Sequence, residues 1–401
     1  MVNEFKIKIK IQNPQSFSFL FCVTFLLYAN SGFYFSSFPI LSPVYIFFYF
    51  ILLIIVFLFL KKTTQKITLQ SVIGLILVFY ILISQTLVQG KPIALLGSAA
   101  TFLFYIFGTL LLPKFSFSKV LIIANGMLLI SLILGLIDTI YRLNLVNFNI
   151  YNLLLNFYEI KKQCLFYADT NSLAINTTIL TFFSIYLYNL LKYKKYIFFA
   201  GAFFIITLLS CSRSAMFATL ITFFILYGFK IIIYLIKSKN SIFDIAKLPT
   251  KKMLYYTILI LTSIIFILVL YKILLFLATD GSFSTKLNLL EALINFIQNA
   301  PLINLLLGTG YNNGGISLYS DLDYAHSYLA TYVIETGFFG YLLVTSFLLS
   351  ILYKTKKTIY LLIPFFIMGI SHISHTQLHL FYTALVLIWF FEKKAYLRSK
   401  Q

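Results

Sequence analysis

Long apolar runs alternate with short polar segments along almost the whole chain, and this pattern predicts transmembrane helices. A helix needs about 20 apolar residues to cross a bilayer, and runs near that length recur throughout. They predict about twelve spans, at residues 15–35, 43–60, 70–88, 93–112, 119–138, 169–190, 196–211, 214–236, 253–278, 326–352, 358–372 and 376–392. Spans seven and eight are separated only by Cys-Ser-Arg-Ser, so a re-entrant hairpin or two tilted helices would also fit.

The longest polar interruption, residues 279–325, predicts a large external loop between the ninth and tenth spans. Within this loop, apolar residues at helical spacing predict an amphipathic helix over about residues 284–299 that lies along the membrane surface. Gly308 and Gly310 follow, and they would allow the backbone to approach a ligand closely, although such a glycine cluster is more often a flexible turn. Long structureless connections are uncommon, so we expect the chemistry of the protein in this loop.

Composition supports this fold class, because 61% of the residues are hydrophobic and only 10% are charged. A soluble fold would expose much of that apolar surface, so we expect one integral membrane domain, residues 1–401, built as an all-α polytopic bundle. The three cysteines have neither metal nor disulfide spacing and are expected to be packing residues. Neither a Walker A motif nor an internal repeat is present, which argues against nucleotide hydrolysis and weakens the case for a transporter.

The basic residues predict the orientation, because Lys and Arg in short loops stay on the cytoplasmic side. Most of the 31 basic residues fall in alternate loops that include both ends of the chain. We therefore expect both termini in the cytoplasm and the net charge of +20 mainly on that face. The opposite, outer loops keep few cations, among them Lys91, Arg142 and Arg213. The basic charge reflects topology and attraction to the lipid bilayer, not nucleic-acid binding.

Several polar residues of the outer side are candidate site residues. Arg213 lies where two apolar runs meet and could bind phosphate in bidentate fashion, or it could snorkel to the membrane boundary. His326 could act as a general base or, when protonated, bind phosphate. Asp169 would cap the sixth span or bind substrate together with Asn171. Glu335 lies within a span and should have a partner, because a buried carboxylate is costly.

Three histidines, His372, His375 and His379, recur near the last outer turn. Metal binding is conceivable at that spacing, but carboxylate or cysteine partners are absent nearby in the sequence. We expect hydrogen-bonded interface residues, and neither a metal nor a cofactor.

Together these motifs resemble the O-antigen polymerase and O-antigen ligase superfamily over residues 165–345. The motifs are Asp169-x-Asn171, the Ser-Arg-Ser element around Arg213, Lys286 near the amphipathic helix, Gly308-x-Gly310, and His326 followed by Glu335-x-Gly-x-x-Gly. Two positions depart from the family pattern. Lys286 stands where members commonly have arginine, and Ser327 follows the histidine where asparagine is usual.

The resemblance implies a metal-independent, GT-C-like membrane glycosyltransferase of the bacterial inner membrane. Such an enzyme transfers a glycan from undecaprenyl pyrophosphate to an acceptor on the periplasmic side. Arg213 and Lys286 would stabilise the departing diphosphate, and His326 would deprotonate a sugar hydroxyl. In the reverse arrangement His326 contacts phosphate, and Asp169 or Asp323 is the base.

We expect a polymerase of lipid-linked repeat units for O-antigen or capsule, working with a chain-length regulator and a flippase. A ligase that transfers finished glycan to lipid A-core is the alternative within the family. From other classes, a flippase or transporter for the same lipid would need charges near the bilayer midplane, whereas these lie at the outer edge, with Glu335 the exception. A structural subunit would leave Arg213, Lys286 and His326 unexplained.

Overall fold

The computed structural model describes residues 14–29, 48, 51–52, 54–55, 68–149, 160, 163–167, 169–228, 281–320, 327–370 and 379–399. All regular secondary structure within these ranges is helical. The α-helices are α1 (Pro14–Ala29), α2 (Leu69–Leu87), α3 (Pro92–Leu111), α4 (Phe117–Leu145), α5 (Thr170–Leu191), α6 (Lys195–Leu209), α7 (Arg213–Phe223), α8 (Gly281–Asn299), α9 (Leu302–Leu307), α10 (Tyr328–Lys354), α11 (Ile359–Gly369) and α12 (His379–Ser399).

The predicted all-α class is confirmed for the described residues. Five of the described helices, α2, α3, α4, α5 and α10, are long and apolar enough to cross a membrane. Helices α6 and α7 are apolar but shorter, and a π turn over Phe224–Gly228 extends α7. The predicted span 253–278 lies outside the described residues, and most of span 43–60 does too.

Helix α4 is longer than the sequence pattern predicted, because it ends at Leu145 and not near residue 138. The additional two turns contain Arg142, which the pattern placed in an outer loop. Asp138 and Arg142 are four residues apart, so they share one face of the helix. Other segments cover that face, and both side chains are buried. Asp138 and Arg142 therefore lie within α4 and do not mark its end.

Helices α5 and α12 form the centre of the bundle. Every residue from Thr170 to Ser184 in α5 and from Leu380 to Phe391 in α12 is buried. Helices that are buried on all sides need small or apolar side chains all round. Threonines of α5 face the neighbouring short helices, with 2.8 Å between the hydroxyls of Thr177 and Thr207. Small hydroxyl side chains allow close helix packing, which fixes α6 against α5.

Hydrogen bonds between helices define two ends of the bundle. At one end, which we call the lysine end, Tyr186 near the end of α5 donates to Glu392 in α12 at 2.9 Å. At the same end, Asn189 of α5 donates to the Tyr360 hydroxyl at the start of α11 at 3.1 Å. Exposed lysines surround this end, at positions 192, 194, 195, 354, 356, 357 and 393.

The opposite end of the bundle, which we call the site end, contains the start of α5 and the turn between α6 and α7. It also contains the connection between α2 and α3, where the Lys91 amide donates to the Tyr311 carbonyl at 2.9 Å. The candidate residues that the structure describes all lie in segments at this end or in the loop packed on it.

Candidate functional site

The start of α5 is fixed by Asp169, as the capping interpretation predicted. Its carboxylate accepts hydrogen bonds from the Ser172 amide and the Ser172 hydroxyl, both at 2.8 Å. This is the geometry of a helix N-cap, in which a side-chain oxygen satisfies an amide that has no partner inside the helix. Asp169 is therefore engaged in folding, and a role in substrate binding stays a prediction.

The turn between α6 and α7 places Arg213 at the first position of α7. Cys211 in this turn has a left-handed φ of 56°, which reverses the chain sharply. The Ser212 hydroxyl donates to the Asn171 side-chain oxygen at 2.9 Å, and both residues are buried. This bond joins the turn to the start of α5. Arg213 is half-buried beside that junction, so the predicted residues Asn171 and Arg213 lie at one place.

Arg142 is a site residue that the sequence interpretation missed. Its side chain is only 1% exposed, and its Nη1 donates to the Leu209 carbonyl at the end of α6, at 3.3 Å. Leu209 is in the last turn before Arg213. Arg142 therefore binds the residue before the α6–α7 turn, and Arg213 is the first residue after it. The spacing of Asp138 and Arg142 on one face of a helix was the signal for this pair in the sequence.

Asp138 connects Arg142 to the segment before α5. One of its carboxylate oxygens accepts from the Leu165 amide at 2.5 Å and from the Phe166 amide at 3.1 Å. These bonds hold residues 165–166 against α4. Cys164 lies beside the pair, and burial raises the pKa of its thiol to about 12, although the charge of Arg142 acts in the opposite direction. Such a thiol is protonated at neutral pH, in agreement with a packing role.

The segment Gly308–Tyr311 is pressed against a break in α10. The amides of Thr309 and Gly310 donate to the carbonyls of Ile334 and Glu335, at 2.9 and 3.1 Å. Helix α10 is interrupted at Gly337, whose φ is 68°. A Cβ atom on Gly308 would overlap the Glu335 carbonyl, and one on Gly310 would overlap a carbonyl of the α2–α3 connection. Contact between backbones therefore explains these glycines without a ligand.

Glu335 has the partner that its position in a span demanded. The side chain is 5% exposed, and its Oε2 accepts from the Asn312 amide at 2.8 Å. The same glutamate thus holds the glycine segment with its carbonyl and the next turn with its carboxylate. Gly308, Gly310 and Glu335 therefore form one set of backbone and side-chain contacts, which attaches residues 308–312 to α10. Direct contact of these three residues with substrate stays a prediction.

Helix α8 and the remaining candidates complete the external loop. Leu289, Ala292 and Phe296 of α8 pack against Val333 and Ile334 of α10. On its outward side α8 presents a row of exposed large apolar residues, Leu287, Leu290, Ile294 and Ile297. Lys286 belongs to the first turns of α8, but its side chain lies outside the described residues. His326 and Asp323 also lie outside the described residues. Both precede Ser327, which caps α10.

His379 is a hydrogen-bonded interface residue, as the sequence interpretation expected. Its Nδ1 lies 3.1 Å from the Tyr28 hydroxyl and 3.2 Å from the Thr101 hydroxyl, so it joins α1, α3 and α12. His372 and His375 lie outside the described residues. In the part of the chain that the structure describes, no group of three or more His, Cys, Asp or Glu residues could hold a metal ion.

Comparisons of this chain with known protein families, with curated protein sequences and with solved structures find no match. The chemistry that the site can perform therefore follows from its own residues. The Arg142 guanidinium binds the end of α6, Arg213 begins α7 after the same turn, and hydroxyl and amide side chains join that turn to α5. The segment Gly308–Tyr311 is attached to the same end of the bundle. Guanidinium groups in partly dry surroundings stabilise anions, above all phosphates.

Proposed function

We propose that this chain is a membrane glycosyltransferase that polymerises undecaprenyl-pyrophosphate-linked oligosaccharide repeat units for O-antigen or capsule. The observation that supports this most is that Arg142 binds Leu209 before the α6–α7 turn while Arg213 follows that turn, which is joined to the start of α5. A diphosphate leaving group needs positive charge where its own negative charge develops. The resemblance of the motifs to polymerases and ligases of surface glycans points to the same chemistry.

In the proposed reaction, a hydroxyl of the incoming unit attacks the anomeric carbon of the growing glycan. The new C–O bond forms as the bond to the diphosphate breaks, and undecaprenyl pyrophosphate leaves with the bonding electrons. His326 takes the proton of the attacking hydroxyl, and Arg213 with Lys286 stabilises the leaving diphosphate. Asp169, Asn171, Gly308, Gly310, Asp323 and Glu335 shape the sugar-binding surroundings of these residues.

The proposed location is the bacterial inner membrane, with about twelve spans, cytoplasmic termini and a periplasmic external loop. Two observations support this orientation: exposed lysines surround one end of the bundle, and the candidate residues lie at the other. Lys and Arg are retained on the cytoplasmic side of membranes. A chain-length regulator and a flippase would then be the natural partners, because one limits the product and the other supplies the substrate.

Incubation of the purified protein with synthetic undecaprenyl-pyrophosphate repeat units, with and without EDTA, tests this function. We expect a ladder of products on a gel that the chelator does not change. His326→Ala should abolish the ladder while leaving the amount of protein in the membrane unchanged. Transfer of a single finished block to lipid A-core would identify a ligase instead. Absence of any product together with movement of intact lipid across vesicles would replace the proposal with transport.

A further inference from the structure

Arg142 is a buried cation with donors that are not used. Its Nε and Nη2 atoms are buried and have no hydrogen-bond partner in the described part of the chain. Only Nη1 makes a bond, to the Leu209 carbonyl. Burying a guanidinium with unsatisfied donors is costly, so natural folds keep such a group only where something compensates.

Asp138 does not compensate for these donors. It lies one turn earlier on α4, and its charge acts on Arg142. The hydrogen bonds of its carboxylate, however, go to the backbone amides of Leu165 and Phe166. Asp138 therefore balances the charge of Arg142 and leaves the Nε and Nη2 edge of the guanidinium unfilled.

The unused edge has the shape that binds a phosphate. In a guanidinium, the N–H of Nε and one N–H of Nη2 point the same way from neighbouring atoms. This fork matches two oxygens of a phosphate or carboxylate and gives two parallel charge-assisted bonds. Lysine cannot reproduce the two-point contact, because its ammonium is a point charge. Two-point hydrogen bonding by this edge is thus more specific for its ligand than attraction by positive charge alone.

Two further polar groups lie at the same end of the bundle as this edge. Leu209, which Arg142 contacts, is the last residue of α6, and Arg213 follows it after the short turn. At the start of α5, the Thr170 hydroxyl is buried and has no hydrogen-bond partner among the described residues. The segments packed around Arg142 are connections between helices, residues 163–167 and the α6–α7 turn. The Nε and Nη2 atoms are buried, so binding of an anion there requires these segments to separate from Arg142.

We propose that the Nε and Nη2 edge of Arg142 binds one phosphate group of the diphosphate of a lipid-linked substrate. The identity of the lipid rests on the function proposed above, whereas the phosphate site does not. Arg142 then holds the diphosphate from inside the bundle, and Arg213 faces it from the end. The fork favours an anion that presents two oxygens at once, as each phosphate group of a diphosphate does.

Equilibrium binding of radiolabelled inorganic pyrophosphate to the full chain in neutral-lipid nanodiscs tests the site. Arg142→Lys keeps the charge opposite Asp138 and removes the fork, and Arg142→Met removes both. Lys91→Met is the matched control, because Lys91 is an exposed cation at the same end with no side-chain bond to the site. We expect wild type and Lys91→Met to bind alike and both Arg142 variants to bind at least about tenfold more weakly. Where Arg142→Met fails to fold, Arg142→Lys decides.

Competition identifies the source of the phosphate. Displacement of the label by farnesyl pyrophosphate at lower concentration than by inorganic pyrophosphate supports a lipid-linked ligand. Equal displacement supports recognition of the free diphosphate. Unchanged binding in Arg142→Lys, or no saturable binding to wild type, would overturn the proposal. Binding requires no glycan transfer, so a chain that binds pyrophosphate through Arg142 but forms no glycosidic bond refutes the proposed function alone.

Discussion

At the scale of single residues, Arg213 has a half-buried side chain on a fixed backbone. It is the first residue of α7, and the Ser212–Asn171 bond holds its turn. Because the side chain is half-buried and begins a helix, Arg213→Ala should change the melting temperature little. We expect it to lower the polymerisation rate by about 10²–10³-fold, the usual effect of losing one donor to a developing anion.

A polymerisation assay of Arg213→Ala and Arg213→Lys, with Lys91→Ala as control, measures this effect. The control removes a cation from the same end of the bundle without touching the α6–α7 turn. Wild-type rates in both Arg213 variants would show that Arg213 marks the membrane boundary and does not assist the reaction.

Gly308 offers a second test at this scale. Its φ of 85° is unfavourable for any other residue, and a Cβ would overlap the Glu335 carbonyl. Gly308→Ala should therefore destabilise the protein by roughly 1–3 kcal/mol or more. Gly314→Ala is the matched control, because Gly314 has a φ of 71° but open space around it. Thermal unfolding in detergent should give a clearly larger drop in melting temperature for Gly308→Ala than for Gly314→Ala. Equal drops would contradict the close contact between Gly308 and α10.

Local sequence patterns predicted the capping role of Asp169 but not the burial of Arg142. Asp169 precedes an apolar run, so its capping role could be predicted from neighbours in the sequence. The hydropathy pattern ends the fifth span near residue 138 and so places Arg142 in an outer loop, whereas α4 continues to Leu145. Arg142 binds Leu209, and its neighbour Asp138 binds Leu165 and Phe166, so the surroundings of this pair come from distant segments. No local pattern contains that information.

At the scale of elements, α8 has two distinct apolar faces, one buried and one exposed. One side packs on α10, and the other exposes Leu287, Leu290, Ile294 and Ile297. An exposed apolar row beside a membrane bundle favours immersion in the lipid interface. We therefore expect the outward row of α8 to lie among lipid chains.

Bromine-labelled lipids test this position through tryptophan fluorescence. In a Trp389→Phe background, which removes the single natural tryptophan, Ile294→Trp should be quenched strongly. Asn288→Trp, on another exposed side of the same helix, should be quenched much less. Equal quenching of both variants, or quenching of neither, would show that α8 stands away from the bilayer.

The break in α10 shows what the hydropathy pattern cannot predict. The pattern predicted an uninterrupted span over 326–352, and the apolar residues do continue through the break. Gly337 leaves the helical conformation because Gly308 and the carbonyl of Leu306 approach it closely. A close approach of two backbones leaves no trace in hydropathy. It is visible in the sequence only as two separated glycines.

At the scale of the whole molecule, the distribution of lysines predicts which end faces the cytoplasm. The exposed cations Lys91 and Lys357 lie at opposite ends of the bundle. In intact cells, a membrane-impermeant thiol reagent should label Lys91→Cys and not Lys357→Cys. After permeabilisation both should react. The reverse pattern would place Arg142 and Arg213 in the cytoplasm and remove the periplasmic reaction.

Periodicity and charge sufficed for the all-α class and for the helices α2, α3, α5 and α10, whose boundaries fall within a few residues of the prediction. The sequence composition is enough to predict the helical class and these spans, because a bilayer sets the length and polarity of a span. The pairing of α5 with the α6–α7 turn depends instead on side chains such as Ser212 and Asn171. Such contacts join residues far apart in the chain, and they decide where the site lies.

The proposed function requires the site end to break a sugar–diphosphate bond and to form a sugar–sugar bond. The most direct measurement is the amount of undecaprenyl pyrophosphate released per glycosidic linkage formed by the purified protein. We predict one lipid diphosphate released for each linkage in wild type, and both products formed about 10²–10³-fold more slowly in Arg213→Ala. Lipid-linked units that cross the vesicle membrane with the sugar–diphosphate bond intact, and with no linkage formed, would contradict the account.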